Sequence, residues 1–451
     1  MTRFATALCL GALMLGCERR SGPSDPLPAS IDRELRAAFA NWGVLPIGPM
    51  PPQDTALVAL GRALVFDRIL SGNRDVACAT CHQPAAHMGD ALPLAVGTGG
   101  TGSGTSRLPG AGREFVPRNA PSLLNTGLGF FYVFWDGRVS GFQAGPFESP
   151  AGAALPRGLP NVLAAQAMFP VVNRVEMRGE PGDVDVFGNP NELALYPDTA
   201  YREIWLAVMR RLLAIPQYQA LFAAAFPGTP TAQLGFQHAA AAIAAFQMAG
   251  LTATGSPFDR YLARDDAALT AQEKRGALLF FGEARCVQCH NGPFLGGQSF
   301  ANAGVPQLGP GVGRAAPLDH GFGEVTGQEF YRFAFRVAPL RNVELTAPYM
   351  HNGAFATLDA VLDHYNDVPT ALRAYDGSQL PPALRGTLHN DDATVAAVLA
   401  TLDFRLLSPL GLSETETQGV VAFLRSLTDP AARDLSAVSP ASVPSGLPVQ
   451  D

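Results

Sequence analysis

Two short stretches of the chain combine a pair of cysteines with a histidine at one fixed spacing. The pattern Cys-x-x-Cys-His occurs twice, and it comprises Cys78, Cys81, His82, Cys286, Cys289 and His290. Two thiols at this spacing on a helical turn can reach both vinyl groups of one porphyrin, and the adjacent imidazole then lies under the iron. The sequence therefore predicts two covalently bound haem c groups, with the two histidines as proximal iron ligands.

Other uses of paired cysteines fit this chain less well. Zinc knuckles need further cysteine or histidine ligands, and a thioredoxin-like dithiol needs a strand–helix–strand context that is absent here. Only Cys9 and Cys17 lie outside the two motifs. No structural disulfide is predicted.

The first seventeen residues are typical of a secretory signal. Arg3 is followed by an apolar stretch over 4–15, which is too short to span a bilayer, and then by Gly16 and Cys17. The stretch LMLGC is similar to the lipobox of bacterial lipoproteins, although Met14 is an imperfect first residue. We expect a periplasmic protein anchored to a bacterial membrane by lipid on Cys17, with residues 18–50 as a tether and N-terminal extension.

The composition indicates a globular protein and excludes one class of partner. The 451 residues are 47% hydrophobic and 16% charged, and the formal net charge is -7. Nucleic-acid phosphates require clustered Lys and Arg, and this chain has no basic run. We therefore expect no nucleic-acid partner.

The two haem motifs follow similar helix-like stretches, LGRALVFDRIL and KRGALLFFGEA. Both contain the pattern Gly-x-x-Leu-x-Phe, formed by Gly61, Leu64 and Phe66 in the first and by Gly276, Leu279 and Phe281 in the second. Such an internal echo predicts two helical domains of one design. Long Gly/Pro-rich stretches at 95–112 and 302–317 predict irregular loops. The fold class is thus mainly α with much irregular chain.

From residue 55 to 428 the chain resembles the bacterial di-haem cytochrome c peroxidase and MauG superfamily. The resemblance is carried by LGRALVFDRILSGNRDVACATCH, RNAPSLLN, FWDGR, AAQAMFPVVNRVEM, RCVQCHNGP, FRVAPLRNVELTAPYMHNGAFATLDAVLDHY and VVAFLRSLTD. It implies two cytochrome-c-like domains: residues 51–255 with a peroxide-reacting haem and residues 256–428 with an electron-transferring haem. Residues 429–451 are expected to form a loosely ordered tail.

The resemblance also assigns residues around the first haem. Trp135 matches a tryptophan between the two haems, where an indole could relay an electron. Gln166, Pro170 and Glu176 match a distal trio, in which a carboxylate can move a proton between the two peroxide oxygens. Without the motif, Trp135 reads as a buried anchor and Glu176 as a solvated charge between two arginines.

A calcium site between the two domains is implied by three further matches. They are Asn119, Thr346 and Pro348, which would offer one side-chain carbonyl and two backbone carbonyls to Ca²⁺. No acidic cluster indicates this site independently, so one bound Ca²⁺ is expected from the resemblance alone.

Two departures from the peroxidase branch bear on the reaction. No histidine lies between His87 and Trp135, so the loop histidine that caps the first haem in that branch is missing. At the position of the axial methionine of the second haem stands Tyr365, as in MauG-like enzymes; a phenolate favours ferric and higher iron. Met350, His351 and His364 are rival ligands, and packing as a core aromatic is the alternative for Tyr365.

Three functions remain after these observations. We expect a MauG-like enzyme that reacts with H₂O₂ at an open haem and oxidises a residue of a partner protein. The alternatives are a peroxidase that takes electrons from a small cytochrome or other redox donor, and a pure electron carrier. The remaining histidines are read as structural or surface residues, namely His87, His238, His320 and His389.

Overall fold

The computed structural model describes residues 30–449, so the predicted signal and Cys17 lie outside the described residues. Within this range the α-helices are α1 Ile31–Asn41, α2 Thr55–Phe66, α3 Cys78–Cys81, α4 Val162–Ala167, α5 Tyr201–Leu213, α6 Pro216–Ala225, α7 Phe236–Gly250, α8 Pro257–Leu262, α9 Ala271–Phe281, α10 Phe322–Thr326, α11 Leu358–Asn366, α12 Val368–Ala374, α13 Pro382–Arg385, α14 Asp392–Ala400 and α15 Glu414–Ser426. The strands are β1 Tyr132–Val133, β2 Val139–Ser140, β3 Phe300–Ala301, β4 Gln307–Leu308, β5 Phe335–Arg336 and β6 Leu388–His389.

The strands form three antiparallel pairs of two residues each, β1 with β2, β3 with β5, and β4 with β6. Helices and irregular chain make up the rest, which confirms the mainly α fold class. No helix between residues 30 and 449 is long and apolar enough to cross a membrane.

Helices α2 and α9, which precede the two haem motifs, begin with side-chain caps. The Asp54 carboxylate accepts hydrogen bonds from the first turn of α2, and Thr270 forms a capping box with Glu273 at the start of α9. These caps satisfy backbone N–H groups that a helix start leaves unpaired. Both helices are therefore fixed at the end distant from the haem motif.

The glycines of the internal repeat lie where each of these helices crosses a partner helix. A Cβ on Gly61 of α2 would lie 1.9 Å from the carbonyl oxygen of Ala242 in α7. A Cβ on Gly276 of α9 would lie 1.8 Å from the carbonyl oxygen of Gly419 in α15. The sequence repeat therefore corresponds to the same helix–helix contact in both halves, because each glycine lets two helix backbones approach closely.

The buried apolar residues form two large clusters that follow the two halves of the chain. The first runs from Leu60 to Leu251 and the second from Phe258 to Leu427, each with an addition from the opposite terminus. The predicted domain boundary at 255/256 falls between Leu251 and Phe258. The two-domain division remains a prediction that this partition supports.

The chain ends pack on the opposite halves. Helix α1 adds Ile31, Leu35 and Phe39 to the second cluster, and Asp32 of that helix pairs with Lys274 at 2.7 Å. The C-terminal segment adds Val443 and Leu447 to the first cluster.

The expectation of a loosely ordered tail is wrong for residues 429–449. This segment has few large apolar residues, but polar contacts with α2 hold it in place. The Arg62 guanidinium donates to the carbonyls of Ala437, Val438 and Ser439. The Ser445 hydroxyl donates to buried Asp67 at 2.6 Å.

The Gly-rich loop after the first haem motif is irregular, as predicted, but polar contacts shape it. The Arg107 guanidinium donates to the backbone carbonyls of Val96, Gly97 and Gly102. Arg113 forms an ion pair with Asp183 of a second loop. Arginine side chains therefore hold this irregular loop together, in addition to the backbone bridge between Thr101 and Leu108.

Candidate functional site

Both haem motifs are short helical turns that place the histidine one turn after the first cysteine. The first motif forms α3 and the second a 3₁₀ turn, Cys286–Gln288. The His82 amide donates to the Cys78 carbonyl, and the His290 amide donates to the Cys286 carbonyl, both at 2.9 Å. Each turn therefore gathers two thiols and one imidazole on a compact stretch of backbone.

The two histidine rings are oriented in the same way. The Nδ1 of His82 lies 3.1 Å from the Met88 carbonyl oxygen, and the Nδ1 of His290 lies 3.1 Å from the Leu295 carbonyl oxygen. A carbonyl only accepts, so Nδ1 carries the proton and Nε2 remains available as an iron ligand. Burial lowers the pKa of both rings to about 4, which keeps them neutral as metal ligation requires.

None of the four motif cysteines forms a disulfide, and their chemistry differs from that of a redox dithiol. Burial raises the pKa of Cys78 to about 11 and that of Cys286 to about 12. Catalytic dithiols have a lowered thiol pKa, since the thiolate is the nucleophile. The protein environment thus favours the haem interpretation of both motifs.

A cavity of about 500 Å³ opens on the first motif and holds the distal residues that the sequence predicted. Its lining includes the first haem motif, the predicted distal trio and the predicted relay, namely Cys78, Cys81, His82, Gln166, Pro170, Glu176 and Trp135. No residue of the second motif lines it. This volume lies within the roughly 300–1,000 Å³ typical of cofactor and ligand sites.

The three residues of the distal trio lie on one short α-helix and two irregular helical turns that border the cavity. Gln166 lies near the end of α4, and Pro170 begins a 3₁₀ turn. Glu176 lies in a single π-helical turn, Arg174–Arg178, that Asn173 caps by accepting from the Glu176 amide. Single π turns often occur at functional sites.

The surroundings of the Glu176 carboxyl favour its protonated, neutral form more strongly than bulk water would. Burial raises its pKa, and the guanidinium groups of Arg138 and Arg118 offset only part of that rise. Its negative charge in turn contributes to the raised pKa of Cys78, although burial is the larger cause there. The carboxyl therefore lies within electrostatic reach of the first haem motif, in an environment suited to proton transfer.

Trp135 is held by both halves of the chain. Its indole N–H donates to the Asn119 carbonyl at 2.9 Å, and its own carbonyl accepts from the Arg336 amide at 2.7 Å. Asn119 belongs to the first half and Arg336 to the second. The indole is thus fixed on the wall of the first cavity, on a segment bonded to the second half.

The three residues assigned to calcium also line this cavity. The Asn119 side-chain amide donates to the Leu92 carbonyl at 2.8 Å, while no hydrogen bond of the described residues involves its Oδ1. Thr346 and Pro348 flank a cis peptide bond at Ala347–Pro348. All three residues thus line one cavity, and calcium binding by them stays a prediction.

Tyr365, on α11, lies near the second haem motif. Burial raises its pKa, and the thiols of Cys289 and Cys286 raise it further through their charges. These thiols become neutral thioethers when haem is attached, so that contribution would then disappear. The phenol is therefore electrostatically coupled to the second motif, and its ligation of that iron stays a prediction.

The rival ligands are engaged elsewhere. His364 has its Nε2 2.9 Å from the Ala303 carbonyl oxygen, and the ring of His351 stacks on Phe335 with centroids 3.4 Å apart. Met350 lines the first cavity. This arrangement favours Tyr365 among the four candidates, although its ligand role remains a prediction.

The four histidines outside the motifs that were read as structural have structural contacts. His87 and His389 face backbone carbonyls of Ala432 and Gly309, at 3.0 and 3.2 Å. His238 accepts from the Gly235 amide at the start of α7, and His320 packs edge-on against Phe333. None of them lines the first cavity.

Sequence reasoning missed a buried charge cluster beside Trp135. Arg118 donates to Asp136 at 2.6 Å and to both carboxylate oxygens of Asp319 at 2.6 and 2.9 Å. Burial alone would lower the Arg118 pKa, but the two carboxylates outweigh it and raise the pKa. In the sequence Arg118 is adjacent to Asn119, and Asp136 is adjacent to Trp135. Their positions within the two matching motifs could therefore have identified them as site residues. Asp319 lies in no such motif.

Two haem-attachment turns on one mainly helical chain, with histidines poised as iron ligands, define a class: the di-haem c-type oxidoreductases. Residues 55–267 match the family described as di-haem cytochrome c peroxidase. The chain belongs to this family of di-haem cytochrome c peroxidases and MauG oxidoreductases, whose members carry two c-type haems.

Three similar proteins illustrate the range of the family. The methylamine utilization protein MauG of Methylorubrum extorquens is 31% identical over 401 residues, which cover 88% of this chain and 86% of that protein. Cytochrome c551 peroxidase of Pseudomonas aeruginosa is 33% identical over 384 residues, covering 82% and 88%. The crystal structure of a MauG-like protein associated with microbial copper homeostasis has a TM-score of 0.57 at 26% identity, covering 87% and 95%.

Proposed function

We propose that this protein is a MauG-type enzyme that reacts with H₂O₂ at the haem of His82 and oxidises a residue of a partner protein. Bound haem would supply the iron that exchanges electrons with peroxide. The residues of the chain would bind the peroxide, move its proton and conduct electrons. The observation that carries the proposal is the presence of a tyrosine, Tyr365, where the peroxidase branch has the axial methionine of the second haem.

The distal residues support a peroxide reaction at the first site. Gln166 can hold peroxide or water by hydrogen bonds, and Pro170 limits the space beside it. The Glu176 carboxylate, with its raised pKa, can take a proton from one peroxide oxygen and return it to the other. No histidine of the 88–134 segment is available to block the iron.

Trp135 supports electron exchange between the two halves. It lies on the cavity wall of the first motif, and its carbonyl bonds to β5 of the second half. An indole at such a position can lose an electron to the first site and regain one from the second. Oxidising equivalents would thereby be shared, so an external substrate need not enter the peroxide cavity.

EPR of the haem-loaded ferric protein tests this proposal. We expect one high-spin and one low-spin signal, both lost when stoichiometric H₂O₂ is added without prior reduction. Tyr365→Phe should abolish the persistence of the doubly oxidised state, whereas Tyr331→Phe, a tyrosine far from both motifs in sequence, should retain it. Two low-spin haems that ignore peroxide until half-reduced would overturn the proposal.

A cytochrome c peroxidase is the second candidate, and the 33% identity to the Pseudomonas aeruginosa enzyme favours it. That function requires steady consumption of H₂O₂ with electrons from a small cytochrome. Rapid turnover with a reduced cytochrome, combined with activation by prior reduction, would identify it.

Calcium binding and export complete the proposal. Asn119, Thr346 and Pro348 would bind one Ca²⁺ beside Trp135, and EGTA treatment should then change the EPR signals in a way that added Ca²⁺ reverses.

Residues 1–17 would direct export to the periplasm, with lipid on Cys17. Cys17→Ser should release the protein from membranes in fractionation, and unchanged membrane association would contradict the anchor.

A further inference from the structure

Four arginines line the cavity of the first haem motif, and three of them are neutralised by carboxylates of the chain. The pairs are Arg118 with Asp136 and Asp319, Arg138 with Asp136, and Arg341 with Asp259. The fourth, Arg336, forms no ion pair with any residue between 30 and 449.

Two contacts hold the Arg336 side chain, although no residue between 30 and 449 supplies a counter-ion. Its Nε donates to the Phe134 carbonyl at 3.1 Å, and its guanidinium carbon lies 5.4 Å from the centroid of the Phe130 ring. Its Nη1 is buried and has no hydrogen-bond partner among the described residues. Burial lowers the pKa of Arg336 to about 10, and no carboxylate in the described part of the chain offsets this shift.

An isolated buried cation is expensive. Removing a charge from water costs several kcal/mol unless an opposite charge and hydrogen bonds compensate. With a pKa of about 10 the Arg336 guanidinium stays protonated at neutral pH, so it does not avoid this cost by losing its proton. Residues 30–449 supply no carboxylate to Arg336, so an anion bound from outside these residues would lower this cost.

We propose that Arg336 binds a propionate of the haem attached to Cys78 and Cys81. The cavity that Arg336 lines is bounded by the first haem motif and by no residue of the second. A haem brings two carboxylates into its site at fixed stoichiometry, and a guanidinium fork matches a carboxylate in shape and charge. The free Nη1 is the donor that this carboxylate satisfies.

This contact joins the haem to the relay tryptophan, because the Arg336 amide also donates to the Trp135 carbonyl. Arg336 is then a positioning residue that fixes the haem edge and Trp135 relative to one another. The inference goes beyond the proposed function, since it holds equally for a MauG-type enzyme and for a peroxidase.

Redox titration of the haem-loaded protein tests the contact. Arg336→Gln removes a cation beside the haem, so the reduction potential of the first haem should fall, while Arg336→Lys should retain most of the wild-type value. Arg314→Gln is the matched control, because Arg314 is an exposed arginine of the second half that does not line the cavity. Its potentials should match wild type.

Resonance Raman spectroscopy provides a second readout that depends on the bond itself. The propionate bending mode of the first haem should shift in Arg336→Lys, a variant that keeps the charge and therefore preserves the fold even if Arg336→Gln does not. An unchanged mode in Arg336→Lys would overturn the proposal. So would a wild-type potential that depends on added chloride or phosphate and loses this dependence in Arg336→Gln, because a free anion would then occupy the position.

Discussion

At the scale of single residues, His82 and His290 show how much the haem motif dictates. In each case Nδ1 faces the carbonyl of a residue five or six positions later, so the chain itself selects the tautomer that leaves Nε2 for iron. Covalent attachment needs only residue types and spacing, and both motifs could therefore be found in the sequence. Arg336 could not, because its significance comes from the absence of a partner within its folded surroundings.

The raised pKa of Glu176 gives a pH prediction. Only the carboxylate can take a proton from peroxide, so the rate of the peroxide reaction should rise with pH through a pKa above about 4.3, the ordinary value for Glu. Arg138→Gln removes a charge that opposes this shift and should move the rise to higher pH. Stopped-flow absorbance of the ferric protein mixed with H₂O₂ measures both effects.

Glu176→Gln should slow the reaction by about 10²–10⁴-fold and remove its pH dependence. Glu180→Gln is the control, since Glu180 is an exposed carboxylate four residues later. A pH profile that survives in Glu176→Gln would assign the ionisation to another group.

At the scale of helices, the sequence shows the Gly-x-x-Leu-x-Phe repeat. It does not show why the first position of the repeat is glycine. Helical periodicity shows which faces are apolar, but the closeness of two backbones depends on the partner helix, more than 140 residues away. Gly61 and Gly276 each meet a carbonyl oxygen of that partner. The loops were predicted only as irregular, because their paths are set by arginine contacts between distant segments.

Gly276→Ala should be strongly destabilising. A Cβ at this position would lie 1.8 Å from the Gly419 carbonyl oxygen, and neither backbone can move without separating α9 from α15. We expect a loss of about 3 kcal/mol in the free energy of unfolding, the upper end of typical overpacking. Gly386→Ala, where a Cβ would meet nothing within 4 Å, should be close to neutral in the same urea titration.

At the scale of the whole molecule, the two halves are linked by their exchanged ends. Helix α1 belongs to the core of the second half, and Val443 and Leu447 belong to the core of the first. The sequence predicts a tether and N-terminal extension over 18–50, because residues 18–30 are polar and rich in Pro, Gly and Ser, and a loosely ordered tail over 429–451, because that segment has few large apolar residues. The apolar residues of both ends pack against residues that are distant in sequence, so their burial could not be predicted from local patterns.

Shortening the chain after Pro440 should destabilise the first half selectively. The truncation removes the buried side chains of Val443 and Leu447 and the Ser445 hydroxyl that donates to Asp67, while Arg62 keeps its carbonyl partners. Hydrogen exchange followed by mass spectrometry should show faster exchange in α2 and α7, with α9 and α15 unchanged as an internal control. Equal acceleration in all four helices would mean that the tail supports the whole molecule.

The exchanged ends also set the order in which the two cores can be completed during synthesis. Helix α1, which packs in the core of the second half, is synthesised before every other described helix. The first half must wait for the last residues of the chain before Val443 and Leu447 close its core. The core around Cys78 and Cys81 is thus the later of the two to be completed, because two of its buried side chains come from the last ten residues of the chain.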